Sequence, residues 1–127
     1  MMHTGLGIQI DLAGVAWRAT DRPGVTWCLL APGHGRGPGA AQGSTALIRM
    51  EPGLGYPAHR HLEGEQVLVL QGGYRDGLGE YRTGDFVAYG PGSEHDPCAL
   101  GRADLPEGPG NPACVLLAFA PGGIELV

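Results

Sequence analysis

The chain has 127 residues, the length of one domain with a buried core. Its formal net charge is −5 and its eight basic residues, all arginine, form no basic run, so we expect neither a nucleic-acid partner nor binding to an anionic membrane surface. The first residues lack the basic start and apolar run of a signal peptide, and the longest apolar run, at 114–120, is far too short to span a bilayer. Because the three cysteines also show no CxxC spacing, we expect a cytoplasmic protein with free thiols.

Glycine and proline are unusually frequent, with 24 and 11 residues, and they separate short apolar runs such as VTWCLLA, STALIRM and ACVLLAFA. This pattern is typical of many short strands joined by tight turns. No segment of twelve or more residues keeps a 3.6-residue apolar period, so we predict no long helix.

The apolar runs predict ten short strands along the chain. These are 8–12, 15–19, 25–31, 44–51, 56–61, 65–71, 79–82, 85–89, 94–99 and 113–120. Residues 32–43 and 100–112 are predicted Gly-rich loops. The stretch GHGRGPG at 33–39 lacks a GK[ST] ending, so we exclude a phosphate loop and expect His34 to be solvated. The whole pattern predicts an all-β sandwich or barrel in a single domain, 1–127.

Two histidines stand one residue apart in HRHLEGEQ, at 59–66. Side chains alternate along a strand, so His59 and His61 point to the same side, with Cα atoms about 6.6 Å apart. Two imidazoles at that spacing can reach one metal ion at roughly 2.1 Å. Glu65 would lie about 13 Å further along a straight strand, so the chain must turn before it, and Gly64 permits that turn. The following strand is predicted to end in a second turn at 72–73.

A fourth candidate ligand, His95, follows the Gly-Pro-Gly turn in GDFVAYGPGSEH at 84–95. Three imidazoles and one carboxylate suit a divalent first-row metal such as Zn, Fe, Mn, Ni or Cu, rather than Ca or Mg. Four protein donors would leave an octahedral ion about two positions for water or an anionic ligand. Glu63 is also two residues from His61, but Glu65 fits the turn, so we rank Glu63 second.

Two spaced motifs in this region resemble those of the cupin superfamily. The first, G-x5-H-x-H-x3-E-x6-G, corresponds to residues 53–72 with every spacing kept. The second, G-x5-P-x-G-x2-H-x3-N, corresponds to residues 84–99, where Gly90 replaces the expected proline and Ala99 the expected asparagine. The resemblance implies a cupin jelly-roll barrel, an antiparallel double-stranded β-helix. It also implies that the metal ligands are His59, His61, Glu65 and His95.

The stretch 59–97 resembles more narrowly the cupin domain of ChrR-type anti-sigma factors and its stand-alone relatives. The matched positions are Gly72, Asp76, Gly79, Tyr81 and Gly84, then Pro91, Gly92, Ser93, His95 and Pro97. ChrR-type proteins carry this cupin behind an N-terminal, zinc-binding, sigma-inhibiting domain. The first 45 residues here hold one cysteine and no H-x3-C-x2-C pattern, so we do not expect sigma-factor binding.

The resemblance supports two functional hypotheses. The first is a small stand-alone metal-binding module, a non-catalytic sensor or binding protein that holds Zn, Fe, Mn or Ni and a small molecule at the metal. The alternative is an enzyme: an iron dioxygenase for a β-diketone-like or hydroxyaryl ketone substrate, or a metal-dependent isomerase. An enzyme would need a dry apolar pocket, which Val67 and Val69 could line because they share the Glu65 side of their strand.

Several residues are weaker candidates. The mouth of a pocket could be lined by Trp27, Arg49, Tyr56 and Tyr89. Cys98 and Cys114 are expected to be packed thiols, and Asp96 to face away from the metal and be solvated. We also predict a homodimer, because the edges of β-sandwiches are commonly covered by pairing.

Overall fold

The computed structural model of the protein describes residues 11–32, 44–121 and 124–126. These residues form one 3-10 turn, Leu12–Gly14, and twelve strands. The strands are β1 Arg18–Ala19, β2 Val25–Pro32, β3 Ser44–Met50, β4 His59–His61, β5 Glu65–Gln71, β6 Gly73–Asp76, β7 Gly79–Arg82, β8 Phe86–Tyr89, β9 Glu94–His95, β10 Cys98–Ala99, β11 Cys114–Ala120 and β12 Ile124–Leu126. The predicted all-β class is confirmed, and this part of the chain contains no long helix.

The described strands form one large sheet and two small ones. The large sheet has six strands in the order β1-β2-β3-β11-β5-β8. The small sheets have the orders β10-β6-β7 and β12-β4-β9. Every pairing is antiparallel, as the sequence analysis predicts.

The core lies against one face of the large sheet. In the register of β11 with β5, Leu116 is opposite Val69 and Ala118 is opposite Val67, so these four side chains share a face. Val67 and Val69 are each 1% exposed, which agrees with their predicted inward direction. Burial of each valine side chain stabilises the fold by about 1.5–3 kcal/mol.

The long apolar runs were predicted closely. The predicted strands at 25–31, 44–51, 65–71, 79–82, 85–89 and 113–120 each agree with an observed strand to within one residue at both ends. Most of these runs are rich in β-favouring residues and are partly or fully buried, so their local preference and their tertiary environment agree.

Predictions were wrong where glycine or proline interrupts the chain. The predicted strand 94–99 is split into β9 and β10, because Pro97 has no N–H to donate to a ladder. The turn predicted at 72–73 is confirmed at Gly72, which follows the end of β5 with a φ of 64°, but Gly73 already begins β6. Leu12 lies in the 3-10 turn, which Asp11 caps by accepting a hydrogen bond from the Ala13 N–H.

The remaining predictions differ in extent or lie outside the described residues. The predicted strand 15–19 is reduced to Arg18–Ala19, and 56–61 to His59–His61. Strands β6 and β12 were not predicted. The predicted strand residues 8–10, and His34 with most of its loop, lie outside the described residues.

The predicted turn before Glu65 is present. Gly64 has a φ of 89°, in the left-handed region that favours glycine. A Cβ atom at this position would lie 2.7 Å from the carbonyl oxygen of Tyr89. The turn changes the direction of the chain between β4 and β5, and Glu65 Oε1 lies 3.2 Å from His61 Nε2.

Gly64→Ala should lower the free energy of unfolding by more than about 1 kcal/mol, because alanine meets both an unfavourable φ and a backbone contact. Urea denaturation measures the change. Gly90→Ala is the matched control, since Gly90 has no positive φ and a Cβ atom added there would meet nothing within 4 Å. We expect Gly90→Ala to change the free energy of unfolding by less than about 0.5 kcal/mol. Equal stabilities of the two variants would contradict this account of the turn.

Candidate metal centre

Three strands bring the four predicted ligands together. The antiparallel pairing of β4 with β9 places His59 directly opposite His95. His61 lies two residues along β4 on the same side, and Glu65 begins β5. All four residues are buried, with exposed fractions of 5%, 0%, 8% and 7% for His59, His61, Glu65 and His95. One donor atom from each lies within 4.8 Å of all the others.

The separations between donor atoms fit a single first-row metal ion. His59 Nε2 lies 3.1 Å from His61 Nε2 and 2.9 Å from His95 Nε2. Glu65 Oε1 lies 3.2 Å from His61 Nε2 and 4.0 Å from His95 Nε2. With bonds of about 2.0–2.1 Å, donors on one octahedral ion are separated by about 2.9 Å when adjacent and about 4.1 Å when opposite. The four side chains therefore have both the chemistry and the spacing for one ion.

The proton positions on His59 and His95 follow from what their Nδ1 atoms face. His59 Nδ1 lies 3.0 Å from the carbonyl oxygen of Pro57, and His95 Nδ1 lies 2.9 Å from Asp76 Oδ2. Both partners are acceptors, so in its neutral form each imidazole carries its proton on Nδ1 and presents a bare Nε2 to the centre. The 2.9 Å contact between these two Nε2 atoms then has no hydrogen between them. A shared cation makes such a contact favourable.

His61 is oriented in a similar way. Its Nδ1 lies 3.1 Å from Ser93 Oγ, and Ser93 Oγ donates its own proton to the carbonyl oxygen of Gly90 at 2.6 Å. The serine oxygen is therefore left to accept from His61 Nδ1. All three imidazoles thus point Nε2 towards Glu65.

Burial, the largest influence, lowers the pKa of His59, and the hydrogen bond to the Pro57 carbonyl only partly opposes it. The imidazole is therefore neutral at pH 7. A neutral imidazole is the form that can bind a metal ion, so His59 is in the protonation state that a metal ligand requires.

Asp76 belongs to the centre and was missed by the sequence analysis. Its side chain is fully buried, and Oδ2 accepts hydrogen bonds from His95 Nδ1 and from the Tyr89 hydroxyl at 2.6 Å. Burial works to raise the pKa of Asp76, but these hydrogen bonds outweigh it and hold the pKa below its ordinary value. Its one sequence signal was a position in the G-x-x-x-D part of the motif, to which no role was assigned.

The sequence predicted Tyr89 at the mouth of a pocket, but the structure places it in the interior. It is 5% exposed, and its ring centre lies 4.4 Å from that of His95 and 5.1 Å from that of His61. The reason is register: Tyr89 is paired with Glu65 across β8 and β5, so both side chains face the interior.

The other candidates lie outside the donor cluster. Glu63 and Asp96 are exposed, as expected for solvated carboxylates. Arg49 pairs with Glu107 and is not on a cavity wall. Cys114 is buried in the core, where burial raises the pKa of its thiol to about 12.

A cavity of about 210 Å³ adjoins the donors. His59, Glu65 and His95 lie on its wall, together with Trp27 and Tyr56, both predicted to line a pocket. Most of the remaining wall is apolar and includes Val25, Ile48, Met50, Val67 and Leu116. No arginine is among the described residues that line it. The cavity can therefore enclose a small, largely apolar molecule beside the donors.

A model of the ChrR Cupin-like domain family matches residues 7–104 of the chain. The chain belongs to this family. The family and the cupin jelly-roll fold predicted from the two motifs are confirmed.

Solved structures of three proteins are similar to this ChrR-like cupin. The anti-sigma factor ChrR of Rhodobacter sphaeroides, solved in complex with SigE, is 29% identical over 87% of this chain and 50% of that chain, with a TM-score of 0.64. This chain thus spans about half the length of that ChrR chain. An RmlC-like cupin from Ralstonia eutropha is 19% identical over 90% of this chain and 68% of that chain, with a TM-score of 0.65.

The third structure is an acetylacetone dioxygenase from Acinetobacter johnsonii. It is 13% identical over 100% of this chain and 81% of that chain, with a TM-score of 0.69. At this identity, and at that of the RmlC-like cupin, the likeness shows a shared fold only. The comparison with curated proteins gives no match. In the described segments, no helix has the length and hydrophobicity needed to cross a membrane.

Glu65→Gln should weaken binding of Zn²⁺ or Fe²⁺ by at least about tenfold, because an amide supplies no negative charge to the ion. Competition with a chromophoric chelator measures the affinity. Glu63→Gln is the matched control, since it removes the same charge from an exposed side chain two residues away. We expect native affinity there. Similar losses in both variants would mean that Glu65 is not the carboxylate ligand.

Proposed function

We propose that this chain is a small metal-binding cupin in which His59, His61, Glu65 and His95 hold one divalent transition metal, and that it acts as a non-catalytic sensor or binding module. The main support is the 2.9 Å contact between two Nε2 atoms whose protons are held elsewhere, on Nδ1. The four donor atoms are buried, and no hydrogen lies between the Nε2 atoms of His59 and His95 to offset the repulsion of their lone pairs. A cation between the donors would remove this repulsion.

The donor set indicates which ions fit. Three neutral imidazoles and one carboxylate suit Zn, Fe, Mn and Ni, and we propose zinc first because the family resemblance implies it. A divalent ion in this set would leave the centre with one net positive charge. When bound, the ion would act as a Lewis acid that attracts an anionic oxygen donor.

The cavity supports a small-molecule ligand at the metal. Three of the four donor residues lie on its wall, so a molecule inside it is beside the ion. The net charge favours a monoanion, and the apolar wall favours a carbon body over a hydroxyl-rich one. The lack of arginine on the described wall argues against a phosphate ester, which needs a cationic partner. The volume corresponds to about seven water molecules at roughly 30 Å³ each.

Protein partners are a separate part of the proposal. The ChrR structure is a complex with SigE, so a sigma factor is the first protein partner to test for this chain. We also propose a homodimer. Strand β8 is at an edge of the large sheet and exposes Phe86, so pairing with a second copy would cover both the edge and this apolar side chain.

The second candidate function is an iron dioxygenase for a β-diketone-like or hydroxyaryl ketone substrate. The apolar cavity favours it, because such substrates present an oxygen-bearing head and an apolar body. The side chains of Trp27, Val67 and Leu116 would exclude water around the substrate. A metal-dependent isomerase stays an untested alternative.

Elemental analysis of protein purified anaerobically should find one divalent transition metal per chain. Zinc at that stoichiometry supports the binding module, and a search for a ligand or protein partner follows. Iron supports the dioxygenase, and oxygen uptake with a panel of β-diketones follows. Protein that holds no metal as purified and takes up none on reconstitution contradicts both functions.

His95→Ala tests whether a bound metal only stabilises the fold or also supports catalysis. In the native protein, metal at 100 times its dissociation constant should stabilise the fold by about 2.7 kcal/mol, and this gain should be lost in His95→Ala. Thermal melts with and without metal measure it. Glu94→Ala, which removes an exposed neighbour on the other face, should keep the native gain. An enzyme would in addition lose turnover in His95→Ala, and a variant with native turnover rules out the catalytic function.

A further inference from the structure

A chain of hydrogen bonds leads from the cavity wall to a metal donor. The Tyr74 hydroxyl lies 2.6 Å from the Tyr89 hydroxyl, which donates to Asp76 Oδ2 at 2.6 Å. The same oxygen accepts from His95 Nδ1 at 2.9 Å. Tyr74 is fully buried and lies on the cavity wall, while Tyr89 and the Asp76 side chain are buried behind it. No member of this chain other than His95 is among the four donors.

The direction of the chain follows from counting protons. The Asp76 carboxylate accepts hydrogen bonds at both oxygens: Oδ2 accepts from the Tyr89 hydroxyl and His95 Nδ1, and Oδ1 accepts from the N–H groups of Leu78 and Gly79. The single hydroxyl proton of Tyr89 is used on Asp76, so Tyr74 must donate to Tyr89. Every donor therefore points towards the carboxylate. The proton of His95 is held on Nδ1, and its Nε2 is left free for a metal ion.

The partner of His95 differs in kind from those of the other two imidazoles. His59 donates to a backbone carbonyl and His61 to a serine hydroxyl, which are both neutral. Among the described Nδ1 partners of the three histidines, Asp76 is the one that carries a charge. A charged acceptor forms a stronger hydrogen bond and increases the basicity of the opposite ring nitrogen.

We propose that Asp76, oriented by Tyr89, is a positioning residue that fixes His95 in the Nδ1–H form and thereby sets the affinity of the centre for a divalent metal. This inference rests on the proposed metal-binding function. It assigns Asp76 an effect on the ion that is exerted through His95 and not by direct coordination.

Asp76→Asn tests the proposal with almost no change in shape. The amide oxygen can keep the two hydrogen bonds of the 76–79 turn, which places the amide NH₂ towards His95 and Tyr89. His95 Nδ1 would then have to accept, and its proton would move to Nε2, where it blocks a metal ion. In the opposite orientation of the Asn side chain, the NH₂ group would face the N–H groups of the turn, which would then have no acceptor. We therefore expect His95 alone to change its protonated nitrogen in the metal-free variant.

Two measurements follow from this expectation. Nitrogen-15 NMR of the histidine side chains in metal-free protein should show His95 with its proton on Nε2 in Asp76→Asn, with His59 and His61 unchanged. Chelator competition with Zn²⁺ should show a loss of affinity of about 10- to 100-fold. A role limited to fold stability would leave the protonated nitrogen of His95 as in the native protein.

Two further variants serve as control and as a second test. Asp85→Asn removes the same charge from an exposed turn, where Asp85 accepts from the Arg82 N–H, and should keep native affinity. Tyr89→Phe removes one hydrogen bond from Asp76 and leaves its bond to His95. It should weaken Zn²⁺ binding by less than Asp76→Asn does, with the His95 proton still on Nδ1. If Asp76→Asn does not fold, unchanged affinity in Tyr89→Phe overturns the inference.

The outcomes separate this inference from the proposed function. Native protein that binds no Zn²⁺ contradicts both. Native protein that binds Zn²⁺ while Asp76→Asn binds it equally well, with His95 still protonated on Nδ1, overturns the role of Asp76 and leaves the metal centre intact.

Discussion

The centre depends on the short ladder between β4 and β9, which fixes His59 opposite His95. Backbone bonds extend this ladder: the His61 N–H donates to the Ser93 carbonyl at 2.8 Å, and the Gly92 N–H donates to the His61 carbonyl at 2.7 Å. On the outer face, Arg60 pairs with Glu94 at 2.6 Å, and both side chains are exposed. An exposed pair contributes only about 0–1 kcal/mol, so the backbone ladder is the main support of the donor geometry.

A bound cation would resolve an electrostatic conflict in this arrangement. Three imidazole nitrogens and a carboxylate converge in a buried space, which is unfavourable for their lone pairs alone. Each imidazole is held from behind by a carbonyl, a hydroxyl or a carboxylate, so none can turn its N–H inwards without the loss of that bond. Binding of a metal ion would therefore also stabilise the fold. The adjoining apolar cavity would then select which small molecules could approach such an ion.

Much of the centre could be predicted from local sequence. Alternation along a strand places His59 and His61 on one side, and Gly64 provides the turn that selects Glu65 over Glu63. His95 was a candidate from its position after the Gly-Pro-Gly turn, but its place beside the other three donors depended on the motif resemblance, because no local pattern shows that β9 pairs with β4. The family model and the similar folds confirm that resemblance.

Asp76 and Tyr89 could not be placed, because their roles depend on non-local register. Asp76 is 19 residues before His95, and it lies on β6, whose first residue, Gly73, favoured a turn in the sequence. Tyr89 faces inwards only because β8 pairs with β5 in a register that sets it beside Glu65. Contacts of this kind are decided by how sheets pair, and single-strand patterns do not contain that information.

The central claim is that one metal ion is held by these four side chains through the Nε2 atoms. Anomalous diffraction from crystals of the metal-loaded protein, recorded on both sides of the absorption edge of the metal, tests it most directly. We predict a single peak about 2.0–2.2 Å from Nε2 of His59, His61 and His95 and from a carboxylate oxygen of Glu65. A peak at another site, or one bound through an Nδ1 atom, would contradict the account.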